Sequence, residues 1–194
     1  MKIGVLALQG DFAAHAEMLA QSGAHPVELR SSEHFGAIDG LVIPGGESTT
    51  ISKLLASSGL AEPLEAALAE GMPALGTCAG MIVLAAEVAD GRADQVSFSA
   101  IDISVRRNAF GRQSESFEAD VDLGDGRPLR AVFIRAPAVE RAGPAVEVIA
   151  RMPGGPREGE PILCRQGAVM ACSFHPEIAG DPRVHEMFLR RCAR

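Results

Sequence analysis

Pro73-Ala74-Leu75-Gly76-Thr77-Cys78-Ala79-Gly80-Met81-Ile82-Val83-Leu84-Ala85-Ala86-Glu87 decides the fold class. Its spacing predicts a short buried strand over 73–76, a glycine-bracketed turn, and an apolar helix from Met81 to about Glu87. A strand that passes through one tight turn into a helix is the repeating unit of a parallel sheet covered by helices. The same unit recurs upstream. Lys2 to Leu8 reads as a buried strand, Gln9-Gly10-Asp11 as a turn with a helix cap, and Phe12 to Ser22 as a helix closed by Gly23. Strands are expected at Pro26–Leu29 and at Gly40–Ile43, the latter running straight into Pro44-Gly45-Gly46. Helices are expected over Ser48–Ser57 and Leu60–Glu70, with Gly71 ending the second.

After Asp90 the pattern changes. Ile101–Val105, Ser116–Leu123, Arg130–Ile134, Val146–Arg151, Ile162–Arg165 and Ala168–Phe174 read as strands, with a hairpin turn at Gln166-Gly167 and one closing helix over Pro182–Arg191. With no second set of helices between them, these strands are expected to extend the same sheet in antiparallel fashion. The expectation is a three-layer α/β fold, a mostly parallel central sheet with helices on both faces, in a single domain over 1–194.

Composition narrows the function. Hydrophobic residues make up 47% of the 194 and charged residues 22%, which suits one buried core. Lys and Arg number 18 against 25 Asp and Glu, a net charge of −7 that argues against a nucleic-acid partner. No apolar stretch approaches bilayer length, so no membrane is expected and the location reads as cytoplasmic. The four cysteines, Cys78, Cys164, Cys172 and Cys192, form no C-x-x-C pair, so neither a metal site nor a disulfide framework is expected. There is no Trp or Tyr on which a base or sugar could stack.

Gly76-Thr77-Cys78-Ala79-Gly80 is the sulfur counterpart of a nucleophile elbow: glycines two residues to either side of Cys78 allow a strained strand-to-helix turn. The helix start would favour a thiolate and offer free N–H groups to an oxyanion. The bland reading, a small thiol packed among glycines, is equally open on this motif alone. His175-Pro176-Glu177 follows the apolar strand that ends at Phe174, placing an imidazole at the edge where sheet active sites gather. Glu177 is near enough to orient it, so Cys78, His175 and Glu177 would form a triad. Pro44-Gly45-Gly46-Glu47-Ser48 also joins a strand to a helix; its amides would complete an oxyanion hole opposite the Ala79 N–H. A plain turn is the competing reading, and the Gly-Lys-Ser/Thr of a phosphate loop is absent.

These residues together resemble the class I, triad-type glutamine amidotransferases, and within them the glutaminase subunits of pyridoxal 5′-phosphate synthase. The class pattern is G-x-C-x-G with a late H-P-E. The subfamily pattern lies in Leu8-Gln9-Gly10-Asp11, Pro44-Gly45-Gly46-Glu47-Ser48-Thr49-Thr50, Arg107-Asn108-Ala109-Phe110-Gly111-Arg112-Gln113 and Phe133-Ile134-Arg135-Ala136-Pro137. The resemblance implies a flavodoxin-like fold and hydrolysis of L-glutamine through a thioester, without metal or organic cofactor. It also implies that Gly46 and Ala79 hold the oxyanion, and that Gly46, Glu47, Ser48, Arg107, Ile134 and Arg135 bind glutamine. The implied partner is a synthase subunit in a hetero-oligomer, which takes the ammonia and on which activity depends. A Cys-dependent hydrolase or deglycase on a similar sheet, the glutaminase of another amidotransferase, and a non-catalytic partner subunit are the other readings.

Overall fold

The computed structural model describes residues 1–111 and 116–193. In chain order it has β1 (Lys2–Leu6), α1 (Phe12–Gln21), β2 (His25–Leu29), β3 (Gly40–Ile43), α2 (Ser48–Ser58), α3 (Ala61–Ala69), β4 (Ala74–Thr77) and α4 (Ala79–Leu84). There follow β5 (Ala85–Val88), β6 (Ile101–Arg106), β7 (Phe117–Asp122), β8 (Pro128–Phe133), β9 (Ala138–Ala142) and β10 (Glu147–Arg151). The chain closes with β11 (Pro161–Gln166), β12 (Val169–Cys172), α5 (Pro176–Ala179) and α6 (Arg183–Cys192).

Seven described strands form the central sheet in the order β10-β11-β12-β4-β3-β1-β2. From β12 to β2 every pairing is parallel, while β11 joins β12, and β10 joins β11, antiparallel. The antiparallel extension is therefore narrower than the sequence suggests. The strands read at 101–105, 116–123 and 130–134 do form, but β5, β6 and β9 make a separate three-stranded sheet and β7 pairs only with β8. Alternation marks a segment as extended; its partner is set by packing against distant segments. The helix expected to reach Glu87 stops at Leu84, and the chain turns extended at Ala85 and continues as β5. An unbroken apolar run has no period with which to separate buried helix from buried strand. Arg112 and Gln113, from the resembled motif, lie outside the described residues.

Period-2 alternation builds both cores. On β3, Leu41 and Ile43 pack with Ile51, Leu55 and Leu64 of α2 and α3, whereas Val42 faces Leu19, Val184 and Phe188 of α1 and α6. Each such fully buried side chain contributes roughly 1.5–3 kcal/mol relative to exposure. A one-residue slip of β3 would exchange its two faces, so the register is fixed. Because β12, β4, β3 and β1 are parallel neighbours, the loops after Cys172, Thr77, Ile43 and Leu6 open side by side at one edge. No helix among the described residues is long and apolar enough to cross a membrane.

Candidate active site

Cys78 occupies the turn between β4 and α4 with φ 48° and ψ −105°, a conformation costly for a residue with a Cβ. Its flanking glycines are sterically required. A Cβ on Gly76 would lie 2.5 Å from the Gly80 oxygen, and one on Gly80 would lie 2.1 Å from the Ile43 oxygen. The Cys78 N–H donates to the Cys172 carbonyl at 2.8 Å, which ties the turn to β12, and Sγ lies 3.7 Å from the Ile134 oxygen. The other thiols sit in different surroundings. Burial pushes Cys164 up to about 11, Cys192 up to about 12, and Cys172 well above the ordinary thiol range.

His175 follows β12 and is anchored by its N–H to the Val132 carbonyl at 2.9 Å. Its Nδ1 lies 2.7 Å from Glu177 Oε1, so Nδ1–H donates to the carboxylate and Nε2 is left for the cleft. Burial on its own would lower the imidazole, but the interactions with Cys78 and Glu177 prevail and raise it to about 10. Burial works against the charge on Glu177 as well; the His175 bond leads the effects that hold it below the usual carboxylate value.

A cavity of about 340 Å³ opens over these groups. Nine of the ten residues singled out from the sequence line it: Gly46, Glu47, Ser48, Cys78, Ala79, Arg107, Ile134, Arg135 and His175. Glu177 stands behind His175 instead. Gln9, Ile82 and Asn108 also line the cavity, with no role assigned to them from sequence. Gln9 Oε1 accepts the Glu47 N–H at 3.0 Å and so braces the Gly45-Gly46-Glu47 loop. Its place just past the end of β1 was the available signal.

Charge is arranged around this cavity. Arg107 Nη1 donates to Thr49 Oγ1 at 3.0 Å and Gln95 Oε1 at 3.4 Å, with Asp90 Oδ2 at 3.8 Å from Nε. The guanidinium is thus held on one side and leaves donors for an anion. Glu47 caps α2, accepting from the Thr49 N–H at 3.1 Å and the Thr50 N–H at 2.7 Å. Burial disfavours its charge, yet these bonds and that from the Thr50 hydroxyl bring it down to about 2. Three of the four non-glycine residues with positive φ among those described, Cys78, Asn108 and Arg135, line this one cavity. Backbone strain tends to collect at functional sites, which makes this cavity the candidate.

The sequence model of the SNO glutamine amidotransferase family matches residues 5–194. The chain belongs to that family. Among its relatives is the pyridoxal 5′-phosphate synthase subunit PdxT of Nocardia farcinica, 58% identical over 189 residues, covering 96% of this chain and 84% of that one. The protein of the same name from Rhodococcus jostii is 58% identical over 191 residues, covering 96% and 95%. A crystal structure described as a glutamine amidotransferase superposes with a TM-score of 0.89 at 44% identity, covering 99% of each chain. A putative GMP synthase protein from Thermoplasma acidophilum, at 16% identity and TM-score 0.66 over 100% of this chain and 94% of that one, shares the fold.

Proposed function

We infer that this SNO-family chain is the glutaminase subunit of a pyridoxal 5′-phosphate synthase, freeing ammonia from L-glutamine in the cytoplasm and passing it to a synthase subunit. The observation that carries this reading is the set of groups around one 340 Å³ cavity: a thiol on a strained turn, an imidazole backed by a carboxylate, and Arg107 and Glu47 of opposite charge. The two charges suit the α-carboxylate and α-ammonium of a free amino acid. The thiol and imidazole then face its side-chain amide.

In the reaction the Cys78 sulfur, its proton held on His175, attacks the amide carbon. The C–N bond breaks as His175 protonates the leaving nitrogen, releasing ammonia and leaving a γ-glutamyl thioester. Water, deprotonated by the same imidazole, attacks the thioester; glutamate departs and the proton stays on His175. The Gly46 and Ala79 amides hold the oxyanion in both halves. Glu177 keeps the Nδ1 proton in place and stabilises the imidazolium.

The Gly45-Gly46 peptide supplies a gate. A Cβ on Gly10 would lie 1.9 Å from the Gly45 oxygen, so this carbonyl is directed at Gly10. In a trans peptide the Gly46 N–H points the opposite way, and a rotation here re-aims it. We expect the isolated chain to hydrolyse glutamine slowly and the synthase subunit to raise kcat by on the order of 10²-fold or more, the worth of one oxyanion donor. The test is kcat for ammonia release by the chain alone and saturated with the synthase. Equal values refute gating; no release in either condition refutes the glutaminase reading.

Arg107→Ala is expected to raise KM for glutamine more than it lowers kcat, because the contact is to a part of the substrate that does not change during reaction. Steady-state kinetics of the complex decide it; a fall in kcat at constant KM would move Arg107 from substrate binding to gating.

A further inference from the structure

Behind the triad lies a second group of polar side chains that the mechanism leaves unused. His15 of α1 and His185 of α6 are both fully buried. His15 Nδ1 is 2.9 Å from His185 Nε2; its Nε2 is 3.2 Å from Thr77 Oγ1 and 3.4 Å from Glu177 Oε2. That carboxylate oxygen is the one His175 does not use; it is buried without a hydrogen bond of ordinary geometry, and His15 Nε2 is the polar atom set against it. No cluster of His, Cys, Asp and Glu among the described residues is arranged to hold a metal ion.

We propose that His15, backed by His185, is a positioning residue for the glutaminase reaction: it holds the Glu177 carboxylate at the oxygen that His175 leaves free. The proposal rests on the glutaminase reading above. Proton positions follow from the contacts. Ionised Glu177 only accepts, so the His15 nitrogen facing it must carry hydrogen; a lone pair there would repel the carboxylate. Neutral His15 then presents a bare Nδ1, and His185 Nε2–H must donate to it. His185 Nδ1 is consequently a lone pair, and it is the atom of that ring without a partner. One tautomer of each ring satisfies every contact. A cationic His15 would force His185 Nδ1–H to be a buried unpaired donor, the costlier outcome. Burial pushes both rings toward the neutral form, His185 down to about 3. The other charges acting on His15 are those of Glu177, His175 and Asp11.

The arrangement faces one Glu177 oxygen with the His175 N–H at 2.7 Å and the other with the His15 N–H at 3.4 Å, a longer polar contact that opposes rotation of the carboxylate away from Nδ1 of His175. Thr77, next to Cys78, accepts from the same His15 N–H, so the brace reaches the nucleophile turn as well. His15→Phe keeps the ring and removes the donor. His15→Gln restores an N–H near the Nε2 position.

With the chain saturated by its synthase partner, ammonia release from glutamine should show kcat for His15→Phe reduced by on the order of tenfold to a hundredfold, with KM within about twofold. His15→Gln should recover part of the loss. In the free chain the low-field proton resonance of His175 Nδ1–H should shift or vanish in His15→Phe and persist in His15→Gln. A folded His15→Phe with kcat within about twofold of wild type overturns the proposal. So does an equal loss in both variants with the His175 resonance unmoved, which would mean packing alone. If His15→Phe does not fold, His185→Phe carries the test, with a smaller loss of kcat and a second signature in pH. A histidine held neutral adds stability above its unfolded pKa near 6.5 that is lost as pH falls toward its folded value. The wild-type melting temperature should therefore drop below about pH 6.5, and His185→Phe should flatten that slope. An unchanged slope and unchanged kcat overturn the proposal. An inactive wild type removes this proposal and the glutaminase reading together; an active wild type with indifferent variants removes this one alone.

Discussion

Cys78→Ala abolishes ammonia release from glutamine, by roughly 10⁴-fold or more, while synthesis by the partner from added ammonium salt continues at the wild-type rate. The size of the loss follows from what the substitution leaves. Alanine has no atom to attack the amide carbon, and the glutamine site proposed at Gly46, Ala79 and Arg107 keeps its own groups without a covalent route to ammonia. Damage to the turn is small, because alanine accepts the φ of 48° at a cost close to that of cysteine. The two assays separate catalysis from assembly. A variant that fails with ammonium as well has lost the complex, and a variant that retains glutamine turnover removes Cys78 as the nucleophile. Modification by a glutamine-like electrophile should fall on Cys78, since Cys164 and Cys172 are fully buried thiols with raised pKa.

Gly45→Ala lowers kcat by on the order of 10²-fold while the fold survives. The new Cβ would stand 2.5 Å from His175 Cε1, 3.1 Å from Nδ1 and 3.3 Å from Cys78 Cβ. Ordinary carbon contacts begin near about 3.5 Å, so the imidazole must yield by about 1 Å. It cannot do so freely, because its Nδ1 is bound to Glu177 at 2.7 Å in a buried setting. A shift of that size in a group that must reach both sulfur and leaving nitrogen costs on the order of 10²-fold. The backbone itself is tolerant, as Gly45 does not adopt a positive φ. Gly80→Ala is the contrast: its Cβ meets the backbone oxygen of Ile43 at 2.1 Å, and melting temperature should fall along with activity. A Gly45→Ala variant with undiminished kcat would show that the Pro44–Glu47 loop moves aside without disturbing His175.

Much of this was legible in the sequence, and the exceptions have physical causes. The α1 cap at Asp11, the strands leading into Gly45, Cys78 and His175, and the hairpin after Gln166 all follow from local rules of capping, alternation and turn chemistry. The glycines around Cys78 were read as leaving room for a tight turn against its adjoining elements, and the close approach of the Gly80 and Ile43 oxygens bears that out. β9, with the sequence Ala-Val-Glu-Arg-Ala, carries one β-branched residue and gives no strand signal; pairing with β6 makes it a strand. The division of the second half into three sheets is likewise a matter of distant partners. His15 was invisible as a site residue because a histidine on an apolar helix face reads as core until Glu177, 162 positions away by number, is found beside it. Gln9 and Asn108 stood inside recognisable motifs, but only the folded chain shows which cavity they face.

The pairing of β12 with β4 joins Val169 to Ala74 and Cys172 to Thr77, closing a loop of about ninety-five residues. Cys78 and His175 arrive from the two sides of that one junction. During synthesis on the ribosome the thiol therefore emerges long before its base, and until β12 slots in between β4 and β11 it is an ordinary cysteine at the rim of an unfinished sheet. Competence to release ammonia therefore waits for β12, and a nascent form that ends before His175 lacks the base.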